Sequence, residues 1–209
     1  MFFKRTFGRF LLALLVITGL AGTLTDNTLT KDERKNAVTL LKETRGKVSA
    51  AANGLSAKQL DWKPSPGSWS INECLAHIAL TENVLWQQLE TGLKARPNPD
   101  FRDSIRLKDA EIQPMMTDRT TKRSASEALL PQNAPWKTAA AAINEFKKQR
   151  SDHIRYVRNT TEDLRNHVLH IPGGAYIDAY QMILLMNGHA ERHYKQIEAI
   201  RAEPGFPKS

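Results

Sequence analysis

DAYQMILLMNGHAERHYKQIEAIRA, residues 178–202, is the stretch whose periodicity points to the kind of fold to expect. At about 100° per residue, Met182, Met186, His189, His193, Ile197 and Ile200 share one side of a helix, spaced by threes and fours like a core-facing surface. His189 and His193 stand in the middle of that stripe, so both imidazoles are expected to point inward. Two buried imidazoles one turn apart each need a partner for a polar nitrogen, and one shared metal ion satisfies both lone pairs. The plain alternative is a pair of core or interface histidines bonded to carbonyls, and the HxxxH spacing alone does not choose between them. It is not the zincin signature: Ala190 follows the first histidine, and Glu191 lies about 160° from the apolar stripe, toward solvent.

Working outward, three more segments carry one apolar side each. Thr30 with Glu33 forms a capping box that opens a helix over 30–52, with Leu41 and Val48 inward. Ser70 with Glu73 opens a second over 70–93, striped by Ile71, Leu75, Ile78, Leu85 and Leu89. A third spans 136–159, with Ile143, Phe146, Ile154 and Val157 facing in. Arg150 falls on that stripe, so it needs an acidic partner or an anionic ligand. Four striped helices predict an all-α four-helix bundle.

Between these helices the composition changes. Residues 53–69 read as a loop by their Gly, Pro and Ser content, pinned by Trp62 and Trp69, which serve either as packing or as a wall for a substrate. Residues 94–135 contain Pro97, Pro99, Pro114, Pro131 and Pro135 and no sustained period, so we expect a long irregular crossover between helices two and three. A short helix over 103–112 is expected within it, and Met115 and Met116 are placed on its inner side. His77 flanks the stripe of the second helix and is either a ligand or a histidine satisfied by a neighbour. Cys74, one turn earlier, reads as core filling. His153, His167 and His170 carry no pattern of their own.

The chain has 209 residues, 41% hydrophobic and 25% charged, which suits one domain. Its start, MFFKRTFGRFLLALLVITGLAG, has a basic region (Lys4, Arg5, Arg9), an apolar run and small residues near Ala21, the layout of a secretory signal. The expected organisation is a signal peptide at 1–21, or an N-terminal anchor if it is retained, then a linker at 22–29, the bundle at 30–203 and a tail at 204–209. The location implied is periplasmic or otherwise extracytoplasmic, with membrane contact only if the first segment stays. One cysteine rules out a disulfide framework. The formal charge of +8 is spread among acidic residues without interleaved aromatics, which argues against nucleic-acid binding. No P-loop, GxGxxG or GxSxG motif occurs, so nucleotide-dependent and serine-hydrolase chemistry lose support.

LSAKQLDWKPSPGSWSINECLAHI (55–78), DRTTKRSASEALLP (118–131), TEDLRNHVLHIPGG (161–174) and HAERHYKQIEAI (189–200) together resemble the DinB/YfiT-like superfamily in its DinB-like branch, in order and in spacing. The resemblance implies an up-down-down-up four-helix bundle and a divalent metal held by three histidines, one from the second helix and two from the last. Those positions match His77, His189 and His193. Three neutral imidazoles leave open coordination positions, the arrangement of a catalytic site rather than a closed structural one. The resemblance implies a metalloenzyme that activates water or a thiol against a small-molecule substrate, as hydrolase or thiol transferase, with zinc or nickel as the expected metal. The alternative is a non-catalytic helical module that binds metal or ligand. No general base stands out, and a homodimer is compatible with the pattern.

Overall fold

The computed structural model describes residues 28–208. The expected signal or anchor at 1–21 and most of the 22–29 linker lie outside the described residues.

Four long helices form the bundle: α1 (Lys31–Ala50), α3 (Ile71–Lys94), α5 (Ala139–Asn159) and α6 (Ala179–Arg201), with short helices α2 (Ala57–Asp61) and α4 (Asp109–Thr117) between them. Each long helix starts where a side chain satisfies an otherwise orphaned amide. Thr30–Glu33, Ser70–Glu73 and Asp178–Gln181 form complete capping boxes, and Thr138 caps α5 alone. A cap of this kind stabilises a helix by about 1 kcal/mol. The third helix thus begins at Ala139 rather than at Trp136, which packs beside the core ahead of the cap.

α1 and α3 each pack against both α5 and α6. Asn36, Thr44 and Lys47 of α1 meet Tyr180, Asn187 and Glu191 of α6 in ascending order, so these two helices run in the same direction. On the other side, Arg34 bonds to the Val157 carbonyl and Arg45 to Ser151, an opposed pairing. Glu82 meets Arg150, and Trp86 meets His153 and Tyr156, so α3 and α5 also run in the same direction. The core has two apolar parts. One gathers Leu89, Ile112, Phe-free aliphatic residues of α6 such as Met182 and Ile183, and Leu41; the other gathers Ile71, Leu75, Ile78, Phe146, Ile197 and Ile200. Burying a side chain of this size contributes about 1.5–3 kcal/mol.

The connections depart from the sequence reading in three places. Residues 53–69 are not only loop: Ser56 and Gln59 form a capping box that starts α2, a signal hidden by the prolines that follow. The helix expected over 103–112 lies further along, at Asp109–Thr117, preceded by a 3₁₀ turn at Pro99–Ser104. Pro114 argues locally against a helix there, but Ile112 and Met116, one turn apart, are buried and join the core formed with α6, and that burial outweighs the local preference. Gly188 makes the approach possible, since a Cβ there would lie 2.6 Å from Met116 Cβ. Finally, the turn region before α6 contains an antiparallel hairpin, β1 (Val168–His170) and β2 (Tyr176–Asp178), reversed through Gly173 and Gly174, whose φ values of +97° and +83° favour glycine. Three-residue strands are too short to show alternation in a sequence.

Arg165 ties these additions to the bundle. Its guanidinium reaches Glu33 at the start of α1, Asp109 at the start of α4 and Asp178 at the start of α6, and it stacks over Tyr180. No described helix is long and apolar enough to cross a membrane.

Candidate metal centre

His77 lies on α3 two turns beyond the Ser70 cap, and His189 and His193 face it from α6. The His77 and His189 Nε2 atoms are 3.1 Å apart. One ring nitrogen from each of the three histidines falls within 4.8 Å of the other two. Ring centroids are 5.0 Å apart for His77–His189, 4.5 Å for His77–His193 and 4.6 Å for His189–His193. The inward phase read for His189 and His193 meets His77, from the flank of the α3 stripe, at one point. Trp69 closes one side, tilted 4.7 Å from His77 and stacked 5.8 Å from His193. Trp62 is remote from this group and packs edge-on against Phe206.

The outer nitrogens fix which inner ones are free. A carbonyl oxygen can only accept, so at 2.7 Å from the Leu129 carbonyl, His77 Nδ1 carries the proton and its Nε2 turns a lone pair inward. His193 Nδ1 donates in the same way to Gln196 Oε1 at 2.9 Å. Such outer partners orient metal-binding imidazoles and raise their basicity. Burial pushes all three histidines toward the neutral form. His77, only 3% exposed, is lowered by desolvation against the opposing Leu129 bond. His193 is brought down to about 3 by desolvation and the neighbouring His77, and His189 is held well below the usual histidine range by burial and its two partners. Neutral donors whose lone pairs converge are what a divalent cation requires. Two nitrogens ~2.0–2.1 Å from one tetrahedral ion lie about 3.3 Å apart, close to the observed 3.1 Å pair. The donor set therefore fits a metal ion.

No carboxylate joins this group among the described residues. Glu73 is spent on the Ser70 amide and on Lys63, and Glu191 pairs with Lys47 on the side of α6 away from the histidines. Glu82 is held by Arg150 and His153. Arg150 has no solvent exposure; besides Glu82 it reaches Thr44, Asn187 and the Met186 carbonyl, so it makes an internal ion pair rather than a ligand contact. His153 stacks on Trp86 at 3.8 Å, His167 bonds to the Asp163 and Ala95 carbonyls, and His170 packs on Tyr176; none reaches the three-histidine group. Cys74 is buried in the apolar core, and burial pushes its thiol up to about 12, far from a reactive thiolate.

Two partners of the site were not legible in the sequence. Leu129 contributes a backbone carbonyl, which no side-chain pattern announces, and it comes from the crossover. Gln196 lies one turn beyond His193, and its spacing could have suggested a helical neighbour.

A family model described as the DinB superfamily matches residues 40–197. Uncharacterized protein YuaE of Bacillus subtilis (strain 168) is 25% identical over 166 residues, which cover 78% of this chain and 96% of that protein. Among solved structures, the chain is similar to YfiT from Bacillus subtilis, described as a probable metal-dependent hydrolase with an unusual four-helix bundle topology. The two share a TM-score of 0.59 and 14% identity over 86% of this chain and 92% of that one.

Proposed function

This chain belongs to the DinB superfamily, and from that premise we propose that it is a divalent-metal-dependent hydrolase of a small molecule, with His77, His189 and His193 as its metal ligands. The observation that carries the reading is the 3.1 Å approach of two imidazole nitrogens whose outer partner at His77, the Leu129 carbonyl, forces the lone pair inward. Zinc or nickel suits three imidazoles, which are poor ligands for hard cations. Bound there, a divalent ion supplies Lewis-acid activation of a water or of a substrate oxygen. The chain's own contribution is orientation. Leu129 and Gln196 hold two of the rings in one tautomer, and Trp69 screens one side from water. Among the described residues no carboxylate stands beside the histidines, so the metal itself would have to supply the acidification of a water. YfiT's description as a probable metal-dependent hydrolase supports the same direction.

Thiol transfer is the second reading. It is weakened by the export signal expected at 1–21, because cytoplasmic thiols would then be out of reach.

The test is metal content of tag-free protein, followed by ester, amide and thiol substrates. One bound ion per chain in the wild type is expected, weakened strongly in each single alanine variant of the three histidines and lost in His189→Ala/His193→Ala. Wild-type metal content in the triple variant would refute the site.

A further inference from the structure

The segment that follows α4 forms a rim on the α6 side of the three histidines, where His189 and His193 retain partial exposure while His77 does not. Arg192, next to His193 in sequence, donates to the Asp118 and Thr121 carbonyls. Arg123 donates to the Met115 carbonyl and reaches Met116 Sδ at 3.9 Å. Arg119 is exposed and close enough to act electrostatically on both His193 and Arg192.

None of these three guanidiniums forms an ion pair with a carboxylate among the described residues. The acid that does act on Arg192 and Arg123 from a distance is Asp118, and its Oδ1 is occupied by the Thr120 amide and hydroxyl. Arg150 and Arg165 are by contrast each matched to carboxylates at close range, whereas Arg34 and Arg45 bond singly to neutral acceptors; the rim is distinguished by gathering three guanidiniums in one place. Three like charges gathered around the single Asp118 carboxylate leave the rim with a net positive charge, and an added anion completes the set favourably. The carbonyl bonds leave donors of each fork unused, since a guanidinium offers five.

We propose that the substrate of this site is anionic, with a carboxylate or phosphate group held by Arg119, Arg123 and Arg192 while its reacting group faces the three histidines. This rests on the metal-centre reading for the second half of the statement, whereas the arginine half stands on the rim alone.

The test uses the full chain with and without bound zinc, titrated calorimetrically with inorganic phosphate, with succinate, and with succinamide as the neutral counterpart. The comparison is between wild type, Arg119→Gln/Arg123→Gln and Arg119→Lys/Arg123→Lys. Phosphate or succinate should bind the wild type, succinamide should not, and affinity should fall about tenfold per glutamine substitution, with a smaller loss for lysine, which keeps charge but not the fork. Preference for phosphate or for succinate identifies which anion the substrate bears. Zinc content, measured on the same samples, should not change in the arginine variants. Equal anion affinity in wild type and the glutamine variant, or equal binding of succinamide, would overturn the proposal. Arginine-dependent anion binding by a chain that takes up neither zinc nor nickel when either is supplied would instead support the rim and sink the metal centre.

Discussion

Replacing Glu82 by glutamine removes one charge from the middle of the bundle with almost no change in shape. Arg150 is 0% and Glu82 2% exposed, and the Arg150 Nε to Glu82 Oε1 distance is 2.7 Å. Breaking a buried pair by removing one partner costs about 3–5 kcal/mol, because the remaining charge stays desolvated and uncompensated. Glutamine still offers an oxygen to Arg150 or to His153, so the lower end, about 3 kcal/mol, is expected. With a urea slope of about 2 kcal/mol per molar, the unfolding midpoint should drop by about 1.5 M. The double variant Glu82→Leu/Arg150→Met removes both charges and should lose less than the single one, since Thr44 continues to donate to Asn187 after Arg150 is gone. Equilibrium urea unfolding followed by circular dichroism measures both. A midpoint shift below ~0.3 M for Glu82→Gln, or a larger loss in the double variant, would refute the claim that charge compensation governs this layer.

Three other outcomes follow from the same geometry. Burial holds the three histidines neutral below their unfolded value near 6.5, so the unfolded chain takes up more protons and stability falls as pH drops below about 6.5. The slope is at most ~1.4 kcal/mol per pH unit for each histidine, and for His193 it continues down toward its folded value of about 3; urea midpoints at pH 7 and pH 5, compared between wild type and His193→Ala, check it. Gly188→Ala gains helix propensity of up to about 1 kcal/mol but drives a methyl toward Met116 Cβ, so a net loss of about 1–2 kcal/mol with weakened metal binding at the adjacent His189 is expected, read by thermal melting and metal titration. Export with removal near Ala21 predicts mature protein in the extracytoplasmic fraction of its host, and N-terminal sequencing that finds Met1 on soluble cytoplasmic protein would count against it.

All four long helices were readable by their stripes, and two of them announce their starts as well, by the Thr30–Glu33 and Ser70–Glu73 caps. Ser70–Glu73 fixed where α3 begins, and that start sets the phase that turns His77 toward α6. His189 and His193 were placed by periodicity alone. Arg150 was recognisable as a charge in a core position, but its partner was not, since Glu82 lies 68 residues away on another helix and looks locally like any surface glutamate. What escaped the sequence depends on long-range packing. α4 forms around Pro114 because Ile112 and Met116 find a shallow place at Gly188, and the hairpin at 168–178 is too short to carry a pattern. The arginine rim escaped for the same reason: Arg119 and Arg123 stand far from Arg192 in the chain and meet only when the crossover folds back.

The layer of Thr44, Asn187, Arg150, Glu82 and His153 works as a ruler for the histidines. On α3, Glu82 is five residues from His77, which at 1.5 Å per residue is about 7.5 Å along the axis. On the oppositely directed α6, the midpoint of His189 and His193 is four residues from Asn187, about 6 Å in the matching sense. The two ligand sets therefore stand at nearly the same height above a plane where the helices are locked by bonds of fixed direction. An apolar layer would let one helix slide along another at modest expense, whereas a slip of one turn here would set Arg150 against aliphatic side chains. Alignment of His77 with its two partners is thus inherited from a charge cluster that never touches them.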